Sequence, residues 1–258
     1  MTKRNGVTAM QINSYLNGSK IYHAFMGLLG MVQNPFKMYW YGRRLYWSQE
    51  VVPDLPAVSE VNGKEIEYYS FTNFEIPIQA SPWDTPITDI FWIIQLLKLA
   101  RPKKIMEFGT YTGLTTLYLS KYSDEDAVIT TLDLPEKVFN QTRPSPDVQI
   151  GMRFRNTPYE SKIRVTGVDL RNLNISKFEK QDFIFIDALH YYDAVKTDSQ
   201  NALKLLNRGG MIIWHDYNVN EGEAGVVRYL SELNKSLKEI KVIKGCPLAF
   251  YKKADDPS

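Results

Sequence analysis

"KIMEFGTYTGLTTLYLS" (Lys104–Ser120) opens on an apolar run, turns through two glycines four residues apart, and closes as a helix. A short apolar run without alternation suits a strand buried on both faces of a parallel sheet. Gly109 and Gly113 allow a tight turn and a close backbone approach. The helix that follows presents free N–H groups at its start. The turn is poorly built for a pyrophosphate: "GTYTGLTT" lacks the Gly-Lys-Ser/Thr of a Walker loop and the third glycine of a dinucleotide fingerprint. On its own it stays open between an ordinary tight turn and a nucleoside site.

Working outward, similar apolar runs recur at "AVITTL" (Ala127–Leu132), "IRVTGV" (Ile163–Val168), "DFIFI" (Asp182–Ile186) and "MIIWH" (Met211–His215). Helical patterns separate most of them. "DAVKTDSQNALKLL" (Asp193–Leu206) is one, and Gly209-Gly210 is expected to end it and open the next strand. Upstream, "ITDIFWIIQLLKLA" (Ile87–Ala100) is apolar on most faces, which reads as a buried helix, with Arg101-Pro102 as its stop. "IKVIK" (Ile240–Lys244) and "LAFYKK" (Leu248–Lys253), separated by "GCP", form an antiparallel hairpin at the sheet edge. The pattern predicts an α/β fold with a doubly wound, mostly parallel, Rossmann-like seven-stranded sheet and an antiparallel C-terminal hairpin. Ligands of such sheets sit at the carboxyl ends of the strands.

Three acids fall at those ends. Glu107 closes the first strand, where a buried charge is costly without a partner, and an ammonium group would serve. Asp133, in "TTLDLPEK", is placed to accept from ribose hydroxyls, or to act as a turn acid or helix cap. Asp169, in "VTGVDLRNL", is placed to accept from an exocyclic amine or to close an Asx-type turn. Together they match a ligand with an amino acid, a ribose and an adenine, as in S-adenosylmethionine.

"MEFGTYTGLTTLYLS", "TTLDLPE", "FIFIDALHYYDAVKTDSQNALKLLNRGGMIIWHDY" and "PLAFYKK" resemble the class I S-adenosylmethionine-dependent O-methyltransferases. The likeness runs from about Ser81 to Lys253. It points to the branch of macrocin-type sugar O-methyltransferases and cephalosporin-biosynthesis proteins, and more distantly to catechol and caffeoyl-CoA O-methyltransferases. It implies a cofactor site of Glu107, Gly109, Thr110, Tyr111, Gly113, Asp133, Asp169 and Asp187, with Ser81 and Trp83 in a segment that closes over the cofactor.

Two of the three histidines also fall at strand ends, His190 in "IDALHYYD" and His215 in "WHDYN", with Asp187 and Asp216 beside them. The catalytic residues expected from this are His190, His215 and Asp187, with a histidine as general base or as cap and core packing instead. In metal-dependent members of the resembling family, the positions matching Asp187, His215 and Asp216 bind a divalent cation, Mg²⁺ or Mn²⁺. His215 stands where those members have an acid. Mg²⁺ prefers all-oxygen shells, so the imidazole shifts the expectation toward Mn²⁺ or a similar ion.

The bulk properties limit the alternatives. The 258 residues are 44% hydrophobic and carry a formal charge of +2, so no polyanion-binding footprint appears. No N-P-P-[FYW] motif follows the fourth strand, so no nucleic-acid partner is expected. An NAD-type dehydrogenase is disfavoured by the missing third glycine. A binding module that keeps the nucleoside pocket without catalysis is the alternative to the enzyme. Cys246 is the single cysteine, which fits a reducing, cytoplasmic setting. The expected acceptor is a small hydroxylated molecule, a sugar or a glycolipid. Residues 1–70 are expected to form an N-terminal extension to a methyltransferase domain at 71–258. Within the extension, residues 22–47 mix aromatic and basic side chains, which suits a membrane-surface segment, a lid, a homodimer arm or plain packing.

Overall fold

The computed structural model describes residues 59–61, 74, 81, 83–143, 145–217 and 224–255. The chain divides into two units, residues 1–51 and 52–258. The first unit, and with it the expected membrane or dimer contact at 22–47, lies outside the described residues.

The second unit holds one eight-stranded sheet. In chain order its elements are β1 (Ser59–Val61), α1 (Ile87–Ala100), β2 (Lys104–Phe108), α2 (Leu114–Tyr122), β3 (Val128–Asp133), α3 (Glu136–Thr142), β4 (Ile163–Gly167), β5 (Gln181–Ile186), α4 (Tyr192–Leu205), β6 (Leu206–Trp214), α5 (Ala224–Leu237), β7 (Lys241–Ile243) and β8 (Ala249–Lys252). The strands lie in the order β1-β7-β8-β6-β5-β2-β3-β4. Only β8 runs against the rest, pairing antiparallel with both β6 and β7. The seven expected strands are all present, and the hairpin is antiparallel. The three residues of β1 add an eighth strand, parallel to β7, from within the stretch read as an extension.

Alternation across the pleat decides which face each strand residue serves. Ile105, Ile129, Phe183, Phe185, Met211 and Ile213 pack with α1 and α2 on one face. Met106, Phe108, Leu132, Ile184, Ile186 and Ile212 pack with α4 and α5 on the other. Each fully buried side chain of this kind contributes about 1.5–3 kcal/mol, so covering both faces is what holds the sheet. Arg101 ends α1 in the left-handed region at φ 46, ahead of Pro102, as the sequence pattern required.

The Gly209-Gly210 reading is corrected. α4 stops at Leu205 and β6 begins at once, so both glycines lie inside the strand. Gly209 has φ +71, and the β5–β6 register shifts in this neighbourhood. A glycine inside a strand often marks such an irregularity. Among the described residues no helix is long and apolar enough to cross a membrane.

Candidate functional site

The carboxyl ends of β2, β3, β5 and β6 open into one cavity of about 900 Å³. Glu107, Gly109, Thr110, Tyr111, Asp133, Asp169, Asp187, His190, His215 and Asp216 all line it, as does Trp83. Gly113 and Ser81 are not among the lining residues. The strand tips are tied by backbone bonds. Gly109 N–H donates to Leu132 O, Asp187 N–H to Phe108 O and His215 N–H to Ile186 O, at 2.9–3.0 Å.

On the β2–β3 side the acids meet neutral donors. Glu107 is 1% exposed, and its Oε2 accepts from the hydroxyls of Thr116 and Thr131. Among the described residues no basic side chain pairs with it. Burial pushes its carboxyl up to about 8 despite these two bonds. Asp133 Oδ2 accepts from the N–H of Thr110 (3.0 Å) and Tyr111 (2.7 Å), and Oδ1 from Leu134 N–H (2.7 Å). A carboxylate has about four acceptor positions, so Asp133 has about one left for a ligand hydroxyl rather than two. Burial holds its carboxyl above the usual range against those three amides.

The two glycines owe their identity to protein neighbours. Gly109 has φ +99, and a Cβ there would lie 2.1 Å from the carbonyl oxygen of Asp187. Gly113 is the left-handed N-cap of α2, and a Cβ would meet the Phe154 ring at 2.6 Å. Tyr111 sits at φ 48, with its hydroxyl 2.7 Å from Ser81 Oγ. Asp169 is engaged with its neighbour. Arg171 Nε donates to both carboxylate oxygens at 2.9 and 3.1 Å, Nη2 adds a 2.6 Å bond, and Arg171 N–H is capped at 3.1 Å. The Asx-type turn reading of Asp169 is therefore present.

On the β5–β6 side the acids meet imidazoles. His190 Nε2 lies 2.9 Å from Asp216 Oδ2 and 3.7 Å from Asp187 Oδ1. His215 Nδ1 lies 3.1 Å from Asp216 Oδ2 and 3.4 Å from Asp187 Oδ1, while its Nε2 is 3.0 Å from Asp89 Oδ2. Burial opposes charge on both rings, but the carboxylates outweigh it. His190 is raised to about 10 and His215 well above its ordinary value. In return, burial notwithstanding, the imidazoles hold Asp187 and Asp216 below the usual carboxylate range. Asp216 occupies the left-handed region at φ 59, a conformation uncommon outside glycine and often found at working sites.

Asp187, His190 and Asp216 bring one ligand atom each within 4.8 Å of one another, a spacing compatible with a metal ion. The triple expected from sequence had His215 in place of His190. His215 instead lies deeper, bridging Asp216 and Asp89. Two members of this neighbourhood escaped the sequence reading. Asp89 is a lone acid in an otherwise apolar helix, the same signal that singled out Glu107. Asp198 lies on the buried stripe of α4 between Val195 and Ala202.

Residues 106–217 match a family profile described as a methyltransferase domain. The chain is 26% identical over 170 residues to a protein of Arabidopsis thaliana provisionally named a caffeoyl-CoA O-methyltransferase, covering 62% of this chain and 67% of that one. Its fold is similar to that of the Bacillus cereus O-methyltransferase in complex with SAH, with TM-score 0.51 and 19% identity over 67% of this chain and 84% of that one. It is also similar to the SAH-bound methyltransferase PaMTH1 of Podospora anserina, with TM-score 0.54 and 18% identity over 68% and 83%.

Proposed function

We propose that this chain is an S-adenosylmethionine-dependent O-methyltransferase acting on a hydroxyl of a small molecule, in particular a sugar, a natural product or the sugar part of a glycolipid. One observation carries the reading: Glu107 and Asp133 share a single cavity with the Asp187/His190/His215/Asp216 cluster. The finer branch, that of macrocin-type sugar O-methyltransferases, rests on the motifs quoted above.

Glu107 receives the ammonium of the cofactor's amino acid part, a cation that offsets the burial now keeping this acid protonated. Asp133 gives its remaining acceptor position to a ribose hydroxyl. Bound there, the cofactor would supply an electrophilic methyl group whose C–S bond breaks, with the electron pair left on sulfur, as the acceptor's C–O bond forms. The His/Asp cluster would face the acceptor hydroxyl, and a carboxylate of the cluster would take its proton. The facing carboxylates raise His190 to about 10 and shift His215 in the same direction, so both rings favour the charged, hydrogen-bond-donating form, with Asp187 and Asp216 as the acceptors of the cluster. Holding the oxygen in line contributes on the order of 7–11 kcal/mol.

Asp187, His190 and Asp216 would hold a divalent cation, with His190 losing its proton on binding. The imidazole in the set suits Mn²⁺ better than Mg²⁺. Such an ion supplies a lower pKa for the acceptor hydroxyl.

Calorimetry with S-adenosylmethionine, followed by mass spectrometry of a hydroxylated acceptor panel with and without excess EDTA, tests the reading. Tight binding and a product 14 Da heavier (one methylene) are expected. A chain that does not bind the cofactor sinks the proposal. Binding without turnover across the panel favours the non-catalytic alternative. Turnover unchanged in EDTA retires the cation. Residues 22–47 remain our proposed membrane or dimer contact, which liposome co-sedimentation with and without residues 1–50 would check.

A further inference from the structure

Asp198 lines the same cavity on the α4 wall and is 3% exposed, yet no hydrogen bond or ion pair reaches it from the described residues. Leaving a buried polar group unmatched costs about 1–3 kcal/mol, and native folds rarely tolerate it without a reason. The acid is not forced there by the fold. Its place on the stripe between Val195 and Ala202 would take an apolar residue at lower cost. Apolar side chains lie on this part of the wall: Ala194 is one turn before it on the same helix, α4 packs on the short turn Leu170–Asn172, and Leu170 lines the cavity together with Val168 just ahead of that turn. Apolar walls with one polar group suit the faces and one edge of a planar base. The acid placed for that edge by sequence, Asp169, has its carboxylate filled by the Arg171 fork.

We infer that Asp198, rather than Asp169, accepts a hydrogen bond from the exocyclic amino group of the cofactor's base. The inference rests on the proposal that the cavity holds S-adenosylmethionine. Burial pushes the Asp198 carboxyl up to about 7, so no strong local cation competes for it.

The test compares binding of S-adenosylhomocysteine with an analogue whose base carries hydrogen in place of the amino group, by calorimetry on the full chain. The wild type should bind the amino form about 10-fold or more tightly. Asp198→Ala should erase that gap by weakening only the amino form. Asp198→Asn, whose amide oxygen still accepts, should keep most of it, and Asp169→Asn should leave it within about threefold. Equal wild-type affinities overturn the inference with no variant needed, even should Asp198→Ala fail to fold. A gap that survives Asp198→Ala overturns it too, as does a variant that raises only the acceptor KM. A wild type that binds neither compound overturns the cofactor reading itself, which separates the two failures.

Discussion

On the β2–β3 side of the cleft, Glu107 and Asp133 meet hydroxyls and backbone amides, and burial raises both carboxyls. On the β5–β6 side, Asp187 and Asp216 meet imidazoles, and both are lowered. The acids are the same in kind and all lie at strand tips, so position in the fold does not set their state. The partner does. A wall of neutral donors leaves a carboxyl able to respond to an arriving cation. A wall of imidazoles holds a fixed charge pattern before any ligand comes. The first arrangement suits binding and the second suits proton handling.

The largest effect expected from disturbing this contrast is at Asp216, which faces both histidines. Asp216→Ala should lower kcat by roughly 10²–10⁴, with cofactor affinity within about threefold. A matching loss of affinity in calorimetry would merge the two walls into one function. Next is the contact that joins them. Gly109→Ala drives a Cβ into the Asp187 carbonyl at a positive φ, and urea unfolding should show a loss of about 3–5 kcal/mol. A loss below 1 kcal/mol would show that the two loops give way independently.

The pH dependence is subtler. His190 keeps its proton more tightly when folded, so its stabilisation is complete below 6.5 and lost as pH rises through about 10. Glu107 also keeps its proton longer when folded, so stability falls from 4.5 upward until it ionises near 8. Tm should therefore decline from pH 6 to pH 10, by on the order of 5 °C or more. His190→Gln should flatten the part above 8, and a Tm that rises over this range would contradict both assignments. The smallest effect belongs to Glu107 on binding. At pH 7 the arriving ammonium should release close to one proton, read as buffer-dependent heat, and Glu107→Gln should abolish the release.

The inner strands β2 and β5 were legible because strands buried on both faces are apolar almost throughout. Strand-tip acids were legible for the converse reason: a charge ending an apolar run needs a purpose. What each acid touches was not legible. That Asp133 clasps three amides, or that Arg171 folds back onto Asp169, depends on backbone turns that spacing does not encode. Asp89 and Asp198 were missed because each sits inside a helix, where an acid reads as a solvated position until the helix faces are assigned. The Gly-Gly pair misled because glycines after a helix ordinarily end it, and here a strand irregularity uses them.

Asp89 has a wider reach than its size suggests. Its carboxylate touches His215 from α1 at one end of the domain, and its other oxygen takes the Cys246 thiol, 3.5 Å away, from the turn between the last two strands. Early, middle and late stretches of chain thus converge on one side chain. The final hairpin reaches the very acid that His215 meets. β8 lies between β6 and β7, so trimming the C-terminal strands should unravel the sheet and remove that contact together.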